Sequence, residues 1–276
     1  MQTTSNEKLS ERQRRELEYH RDHAVKYQAL LDQPFDWSVF DRPERKWWNA
    51  YWQMYAWLCS QELKGKRVLV VGCGFGDDAI RLAKLGASVT AFDLSPDSLA
   101  IARAIAQREQ LSIDFGEMPA EALTYANDSF DLIVARDILH HVDVPATIRE
   151  LERVARPEAT FLVNEIYSHS VTDLVRRSAL VSKVLYPRMQ KLIYGAAAPY
   201  ITEDERKLTE TDLKLITAPL QAPTMRKYFN FLVNRLIPDR METVAKADRL
   251  VLRTVGALGG VLAGRILFAA RFRKAA

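Results

Sequence analysis

Short apolar runs alternate with helical spacings through the middle of the chain. Residues 67–71, 88–92, 130–135 and 160–166 are rich in β-branched side chains and only five to seven positions long. Runs of that length and composition read as buried parallel strands. A weaker run lies at 112–115. Between them, 77–85, 96–107 and 144–153 space their apolar residues as helices do, the second opened by Ser95 as cap with Pro96 in the first turn. Strand and helix in strict alternation imply an α/β architecture built on a doubly wound parallel sheet.

The flanks read differently. A charged and aromatic leader runs to about Lys64, and a mostly helical tail follows the last middle-zone strand. In the tail, Thr209 and Thr211 precede a helical stretch at 212–216, residues 225–233 are strand-like, and 242–262 is helical. The final apolar run, 266–272, follows Gly264 and Arg265 and has a typical strand length. The division expected is residues 1–64 as an N-terminal helical lid segment and 65–276 as one domain, with a helical insertion at about 167–210.

Composition narrows the classes. At 276 residues, with 48% hydrophobic and 27% charged side chains, the chain can build one large core and is not disordered. A net charge of +4 is too small and too dispersed to imply a nucleic-acid partner. Cys59 and Cys73 are the two cysteines, too few for a disulfide framework or a four-ligand zinc site, so no metal is expected. The leader has no apolar central stretch, and the uncharged stretch 254–264 is far short of the roughly 20 residues that span a bilayer. A cytoplasmic location is the expectation. Contact of the basic C-terminus with a membrane surface is the disfavoured alternative, and the oligomeric state is left open.

The most informative passage places Gly72, Gly74 and Gly76 between a strand and a helix. Glycines there let the chain turn sharply and let a ligand lie against main-chain amides. The dinucleotide fingerprint requires glycine at position 77, but Asp77 stands there and Asp78 follows. Two acids in the first turn of a helix oppose a pyrophosphate and suit a cationic ligand. At the end of the second strand, Asp93 is placed to accept hydrogen bonds from ribose hydroxyls.

Taken together over 66–166, the Gly-Cys-Gly-x-Gly turn, the Asp-x-Ser-x-x-x-Leu segment from Asp93 and the Phe-Asp-x-Ile run from Phe130 resemble the class I S-adenosylmethionine-dependent methyltransferases, in their small-molecule group. The resemblance implies a Rossmann-like sheet, mostly parallel with an antiparallel last strand, and S-adenosyl-L-methionine as cofactor. It implies that Gly72, Cys73, Gly74 and Gly76 line the methionine and ribose part, that Asp93 holds the ribose, and that Leu94, Met118 and Ala120 surround the adenine. Pro119 stands where the family commonly has an acid, which Glu117 is a candidate to replace. Arg136, Asp137 and His141 fall in the loop that passes under the methionine. Glu158 and Ala159 replace the two glycines of a more distant turn.

Methyl transfer from a sulfonium is a direct displacement that demands alignment and dryness more than chemistry from side chains. A hydroxyl acceptor benefits from a base, for which His141 is the candidate; His140 and His141 alternatively only bond the loop backbone. Trp37, Trp47, Trp48, Trp52 and Trp57 crowd into 21 residues and form either a lid over the pocket or a helix packed on the sheet. Glu165, Tyr167 and His169 follow the fifth strand at its ligand-binding edge and read as satisfied loop groups. Arg176, Arg177, Lys183, Arg188 and Lys191 read as a solvated face. The expected activity is O-methylation of a small, partly apolar metabolite. Its alternatives are N- or C-methylation of a lipid or quinone-like acceptor, or cofactor binding without catalysis.

Overall fold

Seven strands form one sheet in the computed structural model of the chain, which describes residues 31–185, 206–233 and 241–274, Pro238, and leader positions 11, 13–15 and 17. Two 3-10 turns, Ser38–Phe40 and Pro43–Lys46, lead into α1 (Ala50–Cys59). The alternating region follows as β1 (Arg67–Val71), α2 (Asp77–Lys84), β2 (Ser88–Asp93), α3 (Pro96–Arg108), β3 (Ile113–Glu117), β4 (Phe130–Arg136), α4 (Val144–Val154) and β5 (Ala155–Ile166). Then come α5 (Ser170–Arg177), a π-helical turn at Leu180–Leu185, α6 (Glu210–Thr217), β6 (Met225–Phe229), α7 (Glu242–Thr254), α8 (Gly259–Leu262) and β7 (Arg265–Arg271). Among the described residues no helix is long and apolar enough to cross a membrane.

The strand order is β3-β2-β1-β4-β5-β7-β6, with β7 antiparallel to both its neighbours and the first five strands parallel. The Rossmann-like sheet and the reversed last strand are therefore both present. The order reverses between β1 and β4, and open α/β sheets hold ligands at the C-terminal strand ends beside such a reversal.

Alternation along the strands gives each face its own core. Leu69, Val71, Ile133, Ala135, Phe161, Val163 and Phe268 pack under α4 and α6. Val68, Val70, Val134, Leu162 and Leu267 pack under α1 and α2, where Met54, Tyr55 and Leu58 are wholly buried. The leader adds a third layer. Leu31, Phe35 and Trp37 lie against Ile80, Ile101 and Ile105, and the backbone carbonyls of Asp36 and Leu31 accept from Arg81 Nη2 and Arg108 Nη1 at 2.7 and 2.8 Å.

Caps fix several helix starts. Asn49, Ser95 and Asp143 each accept from a backbone N–H three residues on, and Thr209 with Asp212 makes a reciprocal capping box.

Three element boundaries differ from the sequence expectation by four residues or more. β5 starts at Ala155 instead of 160, because it pairs with Phe130, bends at a register shift, and pairs again from Thr160. Glu158 takes a left-handed φ of 60° at that bend, the conformation a glycine would adopt freely, with Gln221 and Arg271 bonded to its carboxylate. The tail helix breaks after Thr254, where Gly256 turns at φ 55°, and the strand expected over 225–233 ends at Phe229. Of the expected insertion, residues 186–205, including Arg188 and Lys191, lie outside the described residues.

Phe268 is fully buried, sits opposite Val163 of β5 and Arg226 of β6, and belongs to the core beneath α4 and α6. Phe268→Ala is expected to lower the unfolding free energy by about 3–5 kcal/mol through the cavity it leaves, read as a lower urea midpoint with an unchanged slope.

Candidate functional site

The turn after β1 owes its shape to three glycines with positive φ: 59° at Gly72, 51° at Gly74 and 86° at Gly76. Their surroundings separate their roles. A Cβ on Gly72 would lie 2.4 Å from Ile138 Cγ1, and one on Gly76 would lie 2.9 Å from Ala102 Cβ. A Cβ on Gly74 would meet nothing within 4 Å, since that position faces open space.

The space is a cavity of about 450 Å³ at the C-terminal ends of β1, β2 and β4. Of the residues expected to hold a cofactor, Gly72, Cys73, Gly74, Asp93, Leu94, Met118, Ala120 and Arg136 line it. Gly76 lies just outside the lining, where it caps α2 and lets that helix pack tightly on α3. Asp93 is held rigidly, with Oδ2 accepting from Gly74 N at 2.8 Å and Oδ1 from Ser95 N at 2.9 Å. Burial pushes the Cys73 thiol pKa up, so it stays protonated and unreactive. Glu117 is exposed and outside the cavity. The acid on that wall is Glu121, which accepts from Asp143 N and from Gln13 Nε2 of the leader.

The two acids that open α2 part company. Asp77 lines the cavity and lies 3.5 Å from Arg81 Nη1. Asp78 is buried, accepting from Tyr55 Oη at 2.5 Å and from Arg136 Nε at 2.6 Å. Burial and the Asp78 carboxylate both raise the Tyr55 pKa, so the phenol keeps the proton it donates. Burial disfavours the Arg136 charge, but Asp78 and then Asp137 outweigh that and raise its pKa. The expectation that both acids favour a cation is thus corrected: Asp78 is neutralised inside the protein, and only Asp77 faces the cavity.

The opposite wall comes from the segment after β4. Asp137 has a left-handed φ of 54°, and its carboxylate lies 2.7 Å from Arg265 Nη2 and 3.6 Å from Arg136 Nη1. Burial would raise its pKa, but Arg265 and then Arg136 hold it below the usual carboxylate value. Glu165 of β5 is entirely inaccessible to solvent. Its Oε1 accepts from Ile138 N and Leu139 N, both at 2.6 Å, and its Oε2 lies 2.8 Å from His140 Nδ1. A carboxylate there fixes Nδ1 as the protonated ring nitrogen and leaves Nε2 as the basic one. His140 and His141 both line the cavity with ring centroids 4.0 Å apart. The sequence pointed to His141; the ring bonded to a buried acid is His140.

Tyr167 and His169 do not line this cavity. Tyr167 is buried in the core, and His169 caps α5 by accepting from Val171 N. The tryptophans do not line it either. Trp52 is a buried residue of α1, Trp37 packs on Phe35, and Trp48 with Tyr51 lines a second cavity of about 200 Å³. Arg136, Asp137 and Arg265 face both cavities. The leader reaches the larger cavity through Gln13 and Leu17.

Residues 69–163 match the family model described as a methyltransferase domain. The chain is 33% identical over 153 residues to a ubiquinone biosynthesis O-methyltransferase of Methylocella silvestris, an alignment that covers 45% of this chain and 60% of the relative. It is 42% identical over 87 residues to the protein of that name from Nitrosococcus oceani, covering 31% of this chain and 37% of that one. The chain thus spans well under two thirds of these curated relatives. Among solved structures, an S-adenosylmethionine-dependent methyltransferase from Mesorhizobium loti superposes with a TM-score of 0.52 at 22% identity, covering 81% of this chain and 98% of that one. That likeness shows the shared fold.

Gly74→Ala adds a methyl group to the cavity and costs about 1–2 kcal/mol of backbone strain. Calorimetric titration is expected to show S-adenosylhomocysteine affinity reduced at least tenfold, while the variant still folds. Gly72→Ala adds a collision with Ile138 and is expected to lower Tm further. For Asp137, whose folded pKa lies below the ordinary aspartate value of 3.8, the stabilisation is present above that pH and disappears as pH falls through the folded value. Asp137→Asn is therefore expected to be less stable at pH 7 and to lose less stability between pH about 4 and 2 than the parent, as followed by acid unfolding.

Proposed function

We propose that the chain, whose residues 69–163 match a methyltransferase domain, is a class I S-adenosylmethionine-dependent methyltransferase that methylates a hydroxyl oxygen on a small, partly apolar acceptor related to quinones. The observation that carries the reading is one cavity with the glycine turn and Asp93 on one wall and the Glu165–His140 pair on the other.

The residues fit the cofactor. Gly74 leaves the main chain open to a ligand, and the Asp93 carboxylate, held by two backbone N–H groups, retains lone pairs for ribose hydroxyls. Leu94, Met118 and Ala120 give an apolar wall for adenine, and Arg136, tied to Asp78, bounds the methionine end. When bound, S-adenosyl-L-methionine supplies an electrophilic methyl group on its sulfonium. Asp77 adds negative potential facing that positive sulfur, while Gln13 and Leu17 of the leader help keep water out.

His140 is the base in this reading. Glu165 orients its ring and stabilises the charge it acquires when Nε2 takes the acceptor's hydroxyl proton. His141 stacks beside it and shapes the acceptor side of the cavity. The second cavity, walled by Trp48 and Tyr51, shares Arg136, Asp137 and Arg265 with the first. Support for a quinone-related acceptor comes from the names of the two curated relatives.

Incubation with methyl-labelled cofactor and hydroxylated quinone precursors is expected to yield a labelled ether; label on carbon or nitrogen instead removes the oxygen assignment. Under the same assay, His140→Ala and Glu165→Gln are expected to lower kcat about 100-fold with cofactor affinity unchanged. Full turnover by His140→Ala, with loss confined to His141→Ala, moves the base to His141.

A further inference from the structure

Away from both cavities, three cations converge where β6 meets α7. Lys227 Nζ donates to Gln53 Oε1 of α1 at 2.7 Å, the guanidinium of Arg249 lies 4.4 Å above the Phe229 ring, and that of Arg253 lies 5.9 Å from the Trp47 ring. None of these residues lines either cavity. Arg249 retains only 8% of its accessible surface, and its Nε has no hydrogen-bond partner. Among the described residues, no ion pair within 4 Å involves Lys227, Arg249 or Arg253. Asp248, next to Arg249 on α7, has its carboxylate engaged by the backbone, accepting from Phe231 N and Leu232 N at 2.9 and 2.6 Å.

A buried cation without an acceptor is costly, and like charges four residues apart on a helix, as Arg249 and Arg253 are, repel. Burial, then Arg253, lowers the Arg249 pKa to about 10, and burial, then Arg249 and Arg253, lowers that of Lys227. Other positive surface side chains in this protein meet acids: Arg45 with Asp41, Arg156 with Asp131, Arg271 with Glu158. The β6–α7 cluster gathers forked and point-charge donors that, among the described residues, meet no carboxylate. That is the donor set of a phosphate-type oxyanion site, in which a guanidinium binds through parallel N–H bonds and a lysine adds charge.

We propose that Lys227, Arg249 and Arg253 bind a phosphate oxyanion, either free in solution or on a lipid headgroup. Gln53, whose carbonyl oxygen accepts from Lys227, positions the lysine. The oxyanion would supply the missing acceptor for Arg249 Nε and relieve the repulsion among the three cations. The site opens to solvent at Arg253 and closes at Arg249, so the ligand enters beside the exposed arginine and is held by the buried one.

Inorganic phosphate titrated into the full chain at constant ionic strength, with chloride as control, is expected to raise Tm saturably by about 2–4 °C. Arg249→Met is expected to lose that rise and, without phosphate, to melt no lower than the parent, since it removes an uncompensated buried charge. Lys227→Met carries the same phosphate test if Arg249→Met folds poorly. Vesicles identify the source. Co-sedimentation with phosphatidylglycerol but not phosphatidylcholine, lost in the variants, assigns a lipid headgroup, and a phosphate-dependent rise without co-sedimentation assigns a soluble phosphate. A parent Tm that phosphate leaves unmoved together with no vesicle binding, or effects that persist in both variants, overturns the proposal. These readouts require no methyl transfer.

Discussion

A carboxylate removed from water must be surrounded by donors or it destabilises the fold by several kcal/mol. Glu165 meets that requirement with two backbone N–H groups and one imidazole, all from the segment that follows β4. The consequence runs in a chain. Holding Ile138 N places the Ile138 side chain directly against Gly72, which is why a side chain at that turn would collide with it. The main chain of the glycine turn, the left-handed Asp137 and the His140 ring are therefore set by one acid on β5, two strands away from β1 in the sheet. Remove its charge and three donors compete for a weaker acceptor.

A second constraint comes from the face beneath α1. Tyr55 and Arg136 meet on Asp78, Tyr51 lies under the Arg136 guanidinium at 5.2 Å, and Arg81 lies over Phe35 at 4.6 Å. The aromatic part of the leader is thus part of the electrostatic framework that fixes Arg136, through packing and hydrogen bonds. Arg136, Asp137 and Arg265 alternate in sign along the boundary of the two cavities. With Asp78, which pairs with Arg136, the two arginines and two aspartates cancel in charge, yet the array stays strongly polar and presents fixed dipoles to both cavities in place of mobile water.

Much of the fold was legible because its signals are local. β1 matched to the residue, and Ser95 and Thr209 announced helix starts by chemistry that acts over three residues. β7 was legible from a charge-bounded apolar run, and its direction from the resemblance. The start of β5 was not, because it depends on pairing with Phe130 across a bend at which Glu158 adopts a glycine-like conformation. At the site, Asp93 and Gly74 were readable from spacing, since turn and strand end are both short-range features. The partition of Asp77 from Asp78 was invisible: adjacent positions on a helix point about 100° apart, and which one faces inward is decided by Tyr55 and Arg136. The His140–Glu165 contact joins residues 25 apart. No pattern in a lone sequence encodes it, although a charged residue within an otherwise apolar strand was the one available hint.

The position of β7 between β5 and β6 also governs how the chain reaches its final state. β6, at 225–229, has no partner in the sheet except β7, at 265–271, which is made later. During synthesis the outer edge of β5, with Leu162 and Val163 on it, stays open while more than ninety further residues are added. The last step of sheet assembly is thus an insertion that recruits two strands at once, and until it happens the nascent protein carries a bare, apolar ladder. That is the interval in which a chaperone has the most to protect.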